Sequence, residues 1–203
     1  MSTTKPVTYY RGVRFLKSFT VKFLRSIFIA AEKGALVFTD GTKEISFSRP
    51  VEVQKAGSWD YRNIPAVLIG ATRGTFIPYL NKDLVNAPDE DATRQVTEFG
   101  GDIDLSLSIE VLATTIEERD NLLDIVSIYL SHPDAKDYFL QQNLRFKAGV
   151  SISEGGVRHQ PDIQQPIYYS TVDVDISTSW RAEEEIGSRL ADIIVTIDLE
   201  EEL

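Results

Sequence analysis

Residues 100–133 read GGDIDLSLSIEVLATTIEERDNLLDIVSIYLSHP and carry the clearest structural signals in the chain. Apolar side chains occupy every second position from Ile103 to Val111, with aspartate, serine and glutamate between them. This period of two is typical of a strand with one buried and one solvated face. The sequence therefore predicts a strand over residues 103–111.

A helix is predicted to follow this strand directly. Thr115 and Glu118 have the spacing of a capping box, in which each side chain satisfies a backbone donor of the other residue. The helix should end before Pro133, because the residue ahead of a proline is pushed out of the helical region. The predicted inward stripe comprises Ile116, Leu122, Leu123, Val126, Ile128, Tyr129 and Leu130.

The composition is that of an ordinary globular domain, with 203 residues of which 42% are hydrophobic and 26% are charged. The chain contains no cysteine, which excludes a disulfide framework, thiol catalysis and cysteine-bound metals. The apolar residues 23–31 are interrupted by Arg25 and Ser26. They also fall short of the roughly 20 apolar residues that a spanning helix needs. We therefore expect neither a membrane span nor a signal peptide.

Charge is distributed unevenly along the chain. The formal net charge of −10 disfavours a protein that coats nucleic acid. Residues 1–33, however, hold seven basic side chains against Glu32 alone. This polarity predicts a basic segment that meets an acidic surface, either elsewhere in this protein or on a neighbouring copy.

The sequence predicts three parts. They are an N-terminal basic amphipathic helix in residues 1–34, an α+β core domain in residues 35–190 with long loops at 81–99 and 154–166, and a C-terminal strand with an acidic tail in residues 191–203. In the first part, a polar tip over residues 1–8 precedes the helix, which spans residues 9–31 and ends near Gly34. The C-terminal strand would either edge its own sheet or add to the edge of a neighbouring copy.

Several elements are predicted within the core. Asp40 and Gly41 predict the turn of a hairpin between short strands at 35–38 and 44–47. Residues 66–70 form a continuous apolar run, which is typical of a central strand covered on both faces, and residues 72–79 could continue it. The other predicted elements are a strand at 51–54, a loop with aromatic anchors at 56–65, a helix at 135–144 with Tyr138, Phe139 and Leu144 inward, and strands at 150–153 and 171–180.

The strand at 171–180 alternates like the strand at 103–111. We therefore expect the two to pair in one sheet, with the helix lying across their apolar face. The fold class predicted from these elements is α+β. It consists of a mainly antiparallel sheet with one amphipathic helix packed across it, plus an N-terminal helix and extended loops.

The two histidines are candidate catalytic residues, but simpler structural interpretations are favoured for both. His132 lies at a predicted helix end, where a capping role is favoured over catalysis. His159 has Glu154, Arg158 and Asp162 near it in sequence, but one histidine without a convergent partner set is a weak indication of catalysis. We expect no enzymatic activity, no cofactor and no metal.

Two pairs of aspartates and one glycine-containing segment also invite a site hypothesis. Asp102 with Asp104, and Asp173 with Asp175, each share a strand face and could bind a hard cation. The solvated face of an amphipathic strand is the commoner explanation. Residues 70–75 follow a strand as a phosphate-binding loop does, but they lack the Gly-Lys-Ser/Thr ending, so a turn or bulge is favoured.

The basic face of the N-terminal helix is the remaining candidate for binding. It could be an ordinary solvated face, it could contact a protein partner, or it could contact DNA or a membrane. The residues concerned are Arg11, Arg14, Lys17, Lys22 and Arg25.

Residues 64–180 show an order of elements that resembles the tail terminator and tail-completion proteins of long-tailed bacteriophages. The resemblance is carried by IEVLATT at 109–115, by the start of the helix that follows, and by VDVDI at 172–176. In the helix the matching residues are Glu118, Arg119, Asp120, Leu122, Leu123 and Val126. The match covers a little over half of the chain.

The resemblance implies a virion protein, assembled in the host cytoplasm, that forms a hexameric ring at the head–tail junction. Such a ring terminates the tail tube, contacts tail tube, sheath and neck or connector proteins, and lets DNA pass through its lumen without specific binding. Its partner contacts would come from the long loops, with Asp89, Glu90, Asp91, Arg158 and His159 as the candidate residues. Alternatives are another ring subunit of the tail or baseplate, or a peripheral membrane or nucleic-acid-binding module that uses the basic helix.

Overall fold

The computed structural model describes residues 7–9, 12–57, 63–78, 84–85, 96–159 and 165–185. Several predictions therefore lie wholly or partly outside the described residues. They concern residues 1–6 of the polar tip, Arg11 of the basic face, residues 58–62 of the loop with aromatic anchors, the acidic loop residues Asp89, Glu90 and Asp91, Asp162, and the terminal strand and tail at 191–203.

The described residues form an α+β fold with three α-helices and one nine-stranded sheet, which confirms the predicted fold class. The helices are α1 (Val13–Glu32), α2 (Ile116–Ser131) and α3 (Pro133–Leu140). The strands are β1 (Val7–Tyr9), β2 (Glu52–Lys55), β3 (Ala66–Pro78), β4 (Leu84–Val85), β5 (Val96–Ala113), β6 (Arg145–Phe146), β7 (Ser151–Ser153), β8 (Val157–Arg158) and β9 (Ile167–Glu185).

The sheet follows the order β1-β9-β5-β3-β2, and the predicted pairing of β5 with β9 is confirmed. The long strand β9 pairs antiparallel with four short strands, β8, β7, β6 and β1, in succession along its length. The strand β2 is parallel to β3, and β4 is antiparallel to β5. The sheet is thus mostly antiparallel, as predicted.

The chain divides into two compact units. The larger unit comprises residues 12–75 and 104–178. The described residues of the smaller unit are 7–9, 76–78, 84–85, 96–103 and 179–185. The helix α1 therefore belongs to the same compact unit as α2 and α3.

One face of the sheet carries the main core. Alternate side chains are buried from Ile103 to Val111 in β5 and from Val172 to Thr178 in β9, while the residues between them are more exposed. Burying one such aliphatic side chain contributes about 1.5–3 kcal/mol. The period of two read from the sequence is confirmed in both strands.

The opposite face of the sheet carries a second, smaller core. It contains Ile64, Ala66, Leu68, Leu112 and Ile167, with Tyr169 packed against it. Because the main core buries the other side chains of β3, all four residues 66–69 are buried, as predicted for a strand covered on both faces.

Residues 70–75 belong to β3 and do not form a phosphate-binding loop. Leu68 lies in the second core, whereas the space beside Gly74 is filled by Leu105 and Val13, which lie on the main-core side. Residues six apart in a regular strand share a face. The change of face therefore indicates one extra residue, a β-bulge, between them.

The N-terminal helix was predicted to begin too early. Residues 7–9 pair with β9 as strand β1, so the helix starts at Val13 and the polar tip is shorter than predicted. Its predicted end is confirmed, since Gly34 follows the last turn with a positive φ of 69°. Sequence patterns do not report pairing with a strand more than 170 residues away in the chain.

The predicted hairpin at residues 35–47 is wrong in its strands but right in its turn. Only an isolated bridge joins Thr39 to Glu44. The carboxylate of Asp40 accepts hydrogen bonds from the backbone N–H groups of Thr42 and Lys43, both at 2.8 Å, which closes the turn within itself. The flanking residues instead insert aromatic rings: Phe38 packs edge-on against Phe28, Phe47 and Tyr129.

The predicted capping box at the start of α2 forms only one of its two hydrogen bonds. The Thr115 hydroxyl accepts a hydrogen bond from the Glu118 backbone N–H at 3.2 Å, as the capping box predicts. The Glu118 carboxylate, however, accepts bonds from the backbone N–H and hydroxyl of Ser48, at 2.9 and 2.8 Å. It thereby ties α2 to a distant loop, which a local sequence motif cannot show.

The predicted inward stripes are partly wrong. In α2, Ile116 and Ile128 are 52% and 62% exposed, while Ile125, which was not predicted to point inward, is buried. In α3, Phe139 is buried but Tyr138 is 44% exposed. These exposed apolar side chains lie on the helices' outer surface.

The two predicted long loops contain strands. The segment 81–99 includes β4 and the beginning of β5, and the segment 154–166 includes β8. Both short strands form because a long neighbour offers unpaired backbone groups: β4 pairs with β5, and β8 pairs with β9.

Candidate functional site: exposed surfaces of the two units

An apolar groove runs between α1 and the α2–α3 pair in the larger unit. Its volume is about 560 Å³. Its lining is mostly aromatic and aliphatic, with three polar residues. The residues that line it are Phe23, Ser26, Ile27, Ile128, Tyr129, His132, Asp134, Ala135 and Tyr138.

Stacked aromatic rings hold one wall of this groove. The Tyr138 ring lies 5.0 Å from that of Phe19 and 5.7 Å from that of Phe23, both nearly parallel. The buried Phe139 meets the same two phenylalanines edge-on, at 4.9 and 5.4 Å. Such pairs stabilise the contact of α1 with α3 by about 0.5–1.5 kcal/mol each beyond the area they bury.

His132 joins α2 to α3 at the end of the groove. Its backbone N–H donates to the Ile128 carbonyl, which ends α2, and its Nδ1 accepts from the Asp134 N–H at 3.3 Å, which begins α3. The prediction placed the capping role of His132 at the end of α2, whereas its side chain caps the start of α3. Burial raises the pKa of Tyr129, whose ring lines the groove floor.

The described residues of the predicted basic face differ in their surroundings. Arg25 donates to the carbonyl of Val53 at 2.7 Å and so anchors α1 on β2. Lys17 is half-buried, whereas Arg14 and Lys22 are exposed. The structure thus separates the predicted basic residues into an anchoring side chain and others that reach solvent.

A second, polar cleft lies on the open face of the sheet in the larger unit, with a volume of about 280 Å³. In it, Asp104 forms an ion pair with Lys147, and Ser106 donates to Asp175 at 2.6 Å. These predicted aspartates are therefore used in contacts across the sheet. Within the described ranges, no group of three or more His, Asp or Glu side chains could hold a metal ion. The remaining lining residues of the cleft are Arg73, Thr75 and Leu105.

Arg158 and His159, the predicted contact residues of the second loop, differ in their surroundings. The guanidinium of Arg158 lies 2.5 Å from the Glu110 carboxylate and 4.0 Å above the Tyr169 ring. Arg158 therefore covers the second core, while His159 is exposed beside it. Among the residues that the structure describes, their neighbours do not converge on a proton-transfer site, and Asp162 lies outside the described residues.

In the smaller unit, consecutive residues of β3 expose large apolar side chains. Phe76 is 55% exposed and Ile77 is 44% exposed. Because successive side chains of a strand point to opposite faces, this unit presents apolar surface on both sides of its sheet. Sequence reasoning assigned these residues to a strand but did not recognise them as surface.

The groove was likewise missed from the sequence, although a signal was present. Ile128 and Tyr138 are apolar residues that helical spacing could place either inward or beside the stripe, and both were predicted to point inward.

The described helices include none long and apolar enough to cross a membrane.

No protein-family model matches this chain, and no curated protein matches it either.

Proposed function

We propose that this chain is a structural subunit of a homo-oligomeric ring in a bacteriophage tail. The ring terminates the tail tube at the head–tail junction and attaches it to the neck or connector. Its role is mechanical rather than catalytic, and the resemblance of residues 64–180 to tail terminators suggests six copies.

The observation that carries the proposal is the two-sided apolar surface at Phe76 and Ile77. Single exposed apolar residues are common on any protein. Two large ones on opposite faces of the same sheet are best covered by neighbours on both sides. Each subunit of a closed ring has such neighbours, because head-to-tail contacts use two different surfaces of every copy.

The α+β fold supports the proposal because it is the fold that the resemblance implies. A mostly antiparallel sheet with helices on one face leaves part of its other face, where the polar cleft lies, open to partners. The larger unit exposes apolar surface of its own in the groove between its helices. A protein with exposed apolar surface in each of its units suits an assembly better than a solitary monomer.

The test is attachment to tail tubes. Purified full-length chain is mixed with tubes assembled from the tail tube protein of the source phage, and the ends are viewed by electron microscopy. We expect rings at one end of each tube. The double variant Phe76→Ser, Ile77→Ser should lose them while keeping its circular dichroism spectrum.

The matched control is Val37→Ser, which removes an equally exposed apolar side chain, 58% exposed, from the larger unit. It should leave the rings in place. Tubes whose ends stay bare with the unmodified chain at every concentration would contradict the proposal. Equal loss of rings in the control would show that the effect is not specific to the two-sided surface.

A further inference from the structure

The two sides of the apolar groove carry opposite charge. The helix α1 has four cationic side chains against one acidic side chain. The helices α2 and α3 together have six acidic side chains against two cationic ones. Some of these charges are engaged elsewhere, since Arg25 donates to Val53, Glu118 accepts from Ser48 and Glu117 pairs with Lys43. The remaining charges still differ in sign, so the apolar floor lies between a basic wall on α1 and an acidic wall on α2 and α3.

One charge on each wall stands close to the groove. Lys22 precedes the groove residue Ser26 by one helical turn, and Asp124 precedes the groove residue Ile128 by one turn. Residues four apart lie on the same side of a helix. Both charged residues are exposed, and neither makes an ion pair within the part of the chain that the structure describes.

We propose that this groove is a contact surface between copies of the chain, in which α1 of one copy faces α2 and α3 of another. The inference rests on the proposed homo-oligomer and names the surface that joins its members. The basic wall of one copy meets the acidic wall of the next, which is a head-to-tail contact between two different surfaces, as a closed ring requires. The acidic wall would repel nucleic acid or an anionic membrane.

The apolar and the charged residues of this contact should contribute to different properties of the association. The apolar floor, with Ile128 and Tyr138 exposed at its surface, supplies most of the affinity when it is desolvated. The charges at the rim supply orientation and association rate, since they remain partly in water. Substitutions of the two kinds should therefore have different effects.

The first experiment measures how much the apolar floor contributes to self-association. Ile128→Gln replaces an exposed apolar groove residue and should weaken self-association at least about tenfold in sedimentation velocity. Ile116→Gln makes the same change at the other end of the same helix, where the side chain is similarly exposed and lies outside the groove. It should change the association constant by less than about twofold. Equal association constants for the two variants would overturn the inference.

The second experiment measures how much the charges on the two walls contribute to self-association. Lys22→Glu and Asp124→Lys should each weaken self-association about fivefold, because each places like charges across the contact. An equimolar mixture of the two variants should associate more tightly than either alone, since the carboxylate introduced by Lys22→Glu then faces the ammonium group introduced by Asp124→Lys on another copy. A mixture that associates no better than its components would overturn the inference.

The same measurements separate this inference from the proposed function. If the unmodified chain forms rings and all groove variants form them equally well, the surface is wrong and the ring stands. If the unmodified chain forms only dimers that the groove variants weaken, the surface is right and the ring is wrong. If the unmodified chain stays monomeric at every concentration, both are overturned.

Discussion

At the scale of single residues, Asp40 shows how a short polar side chain can fix a turn without strands. The hydroxyl of Thr42 and the backbone N–H groups of Lys43 and Thr42 all donate to its carboxylate. These bonds favour the charged form and lower the pKa of Asp40 to about 2. The turn therefore depends on an ionised carboxylate.

This arrangement predicts a defined pH dependence. A carboxyl whose pKa is lower in the folded state stabilises the fold fully above its unfolded pKa of 3.8, and that contribution is lost as the pH falls toward 2. We expect the Asp40 side-chain NMR signal to titrate near pH 2. A midpoint close to 3.8 would show that the hydrogen bonds to Thr42 and Lys43 do not form in solution.

Gly155 is required by a close approach of two backbone segments. A Cβ atom at this position would overlap the carbonyl oxygen of Tyr169. We expect Gly155→Ala to destabilise the protein by about 1–3 kcal/mol, because backbone cannot move aside as a flexible side chain can. Urea denaturation measures the change.

Gly149→Ala serves as the control for that variant, since a Cβ atom there meets nothing within 4 Å. Its free energy of unfolding in urea should stay within about 0.5 kcal/mol of that of the unmodified protein. If the two alanine variants unfolded at the same urea concentration, the close approach at Gly155 would be disproved.

At the scale of elements, Glu118 joins α2 to the loop before β2. Its buried carboxylate accepts two bonds from Ser48. We expect Glu118→Ala to cost about 1.5–3 kcal/mol, as expected for hydrogen bonds to a charged group. The adjacent Glu117 makes only an exposed ion pair with Lys43, so Glu117→Ala should cost less than about 1 kcal/mol.

Thermal and urea unfolding of both alanine variants would test this prediction. A cost for Glu117→Ala that equals or exceeds the cost for Glu118→Ala would contradict it. Glu118→Gln should lie between the unmodified protein and Glu118→Ala, because an amide oxygen still accepts a bond from Ser48 but carries no charge.

The elements were predictable from sequence where a regular pattern and a local stop signal coincide. The helix α2 combines a cap at Thr115 with a proline at 133, and it was predicted nearly to the residue. The alternation in 103–111 correctly predicted the middle of β5, but the strand begins at Val96, seven residues earlier, and ends at Ala113, two residues later. The short strands β1, β4 and β8 were not predicted, because each is too short to show a pattern of its own and forms by pairing with a long strand.

The candidate surfaces were harder to predict than the fold, because exposure depends on what packs nearby. Helical spacing placed Ile128 and Tyr138 on an inward face, yet α3 leaves α2 at His132 and uncovers both of them. Arg25, predicted as a partner-binding residue, also donates to the carbonyl of Val53 and so anchors α1 on β2. Neither outcome can be read from residue type and period alone.

For the molecule as a whole, the proposed assembly depends on exposed apolar surface in both units. Apolar surface is exposed at Phe76 and Ile77 in the smaller unit and in the groove of the larger unit. Surfaces that differ within one chain favour head-to-tail contacts, which close into rings when the rotation between neighbours allows it. The central claim is that copies of this chain form such a ring.

Native mass spectrometry of the purified full-length chain tests that claim most directly, with negative-stain images of the same sample to show the shape. We predict one closed species of six copies of the 22.8 kDa chain, seen as a ring with a central opening. A single species at the mass of one chain, at every concentration tested, would contradict the account.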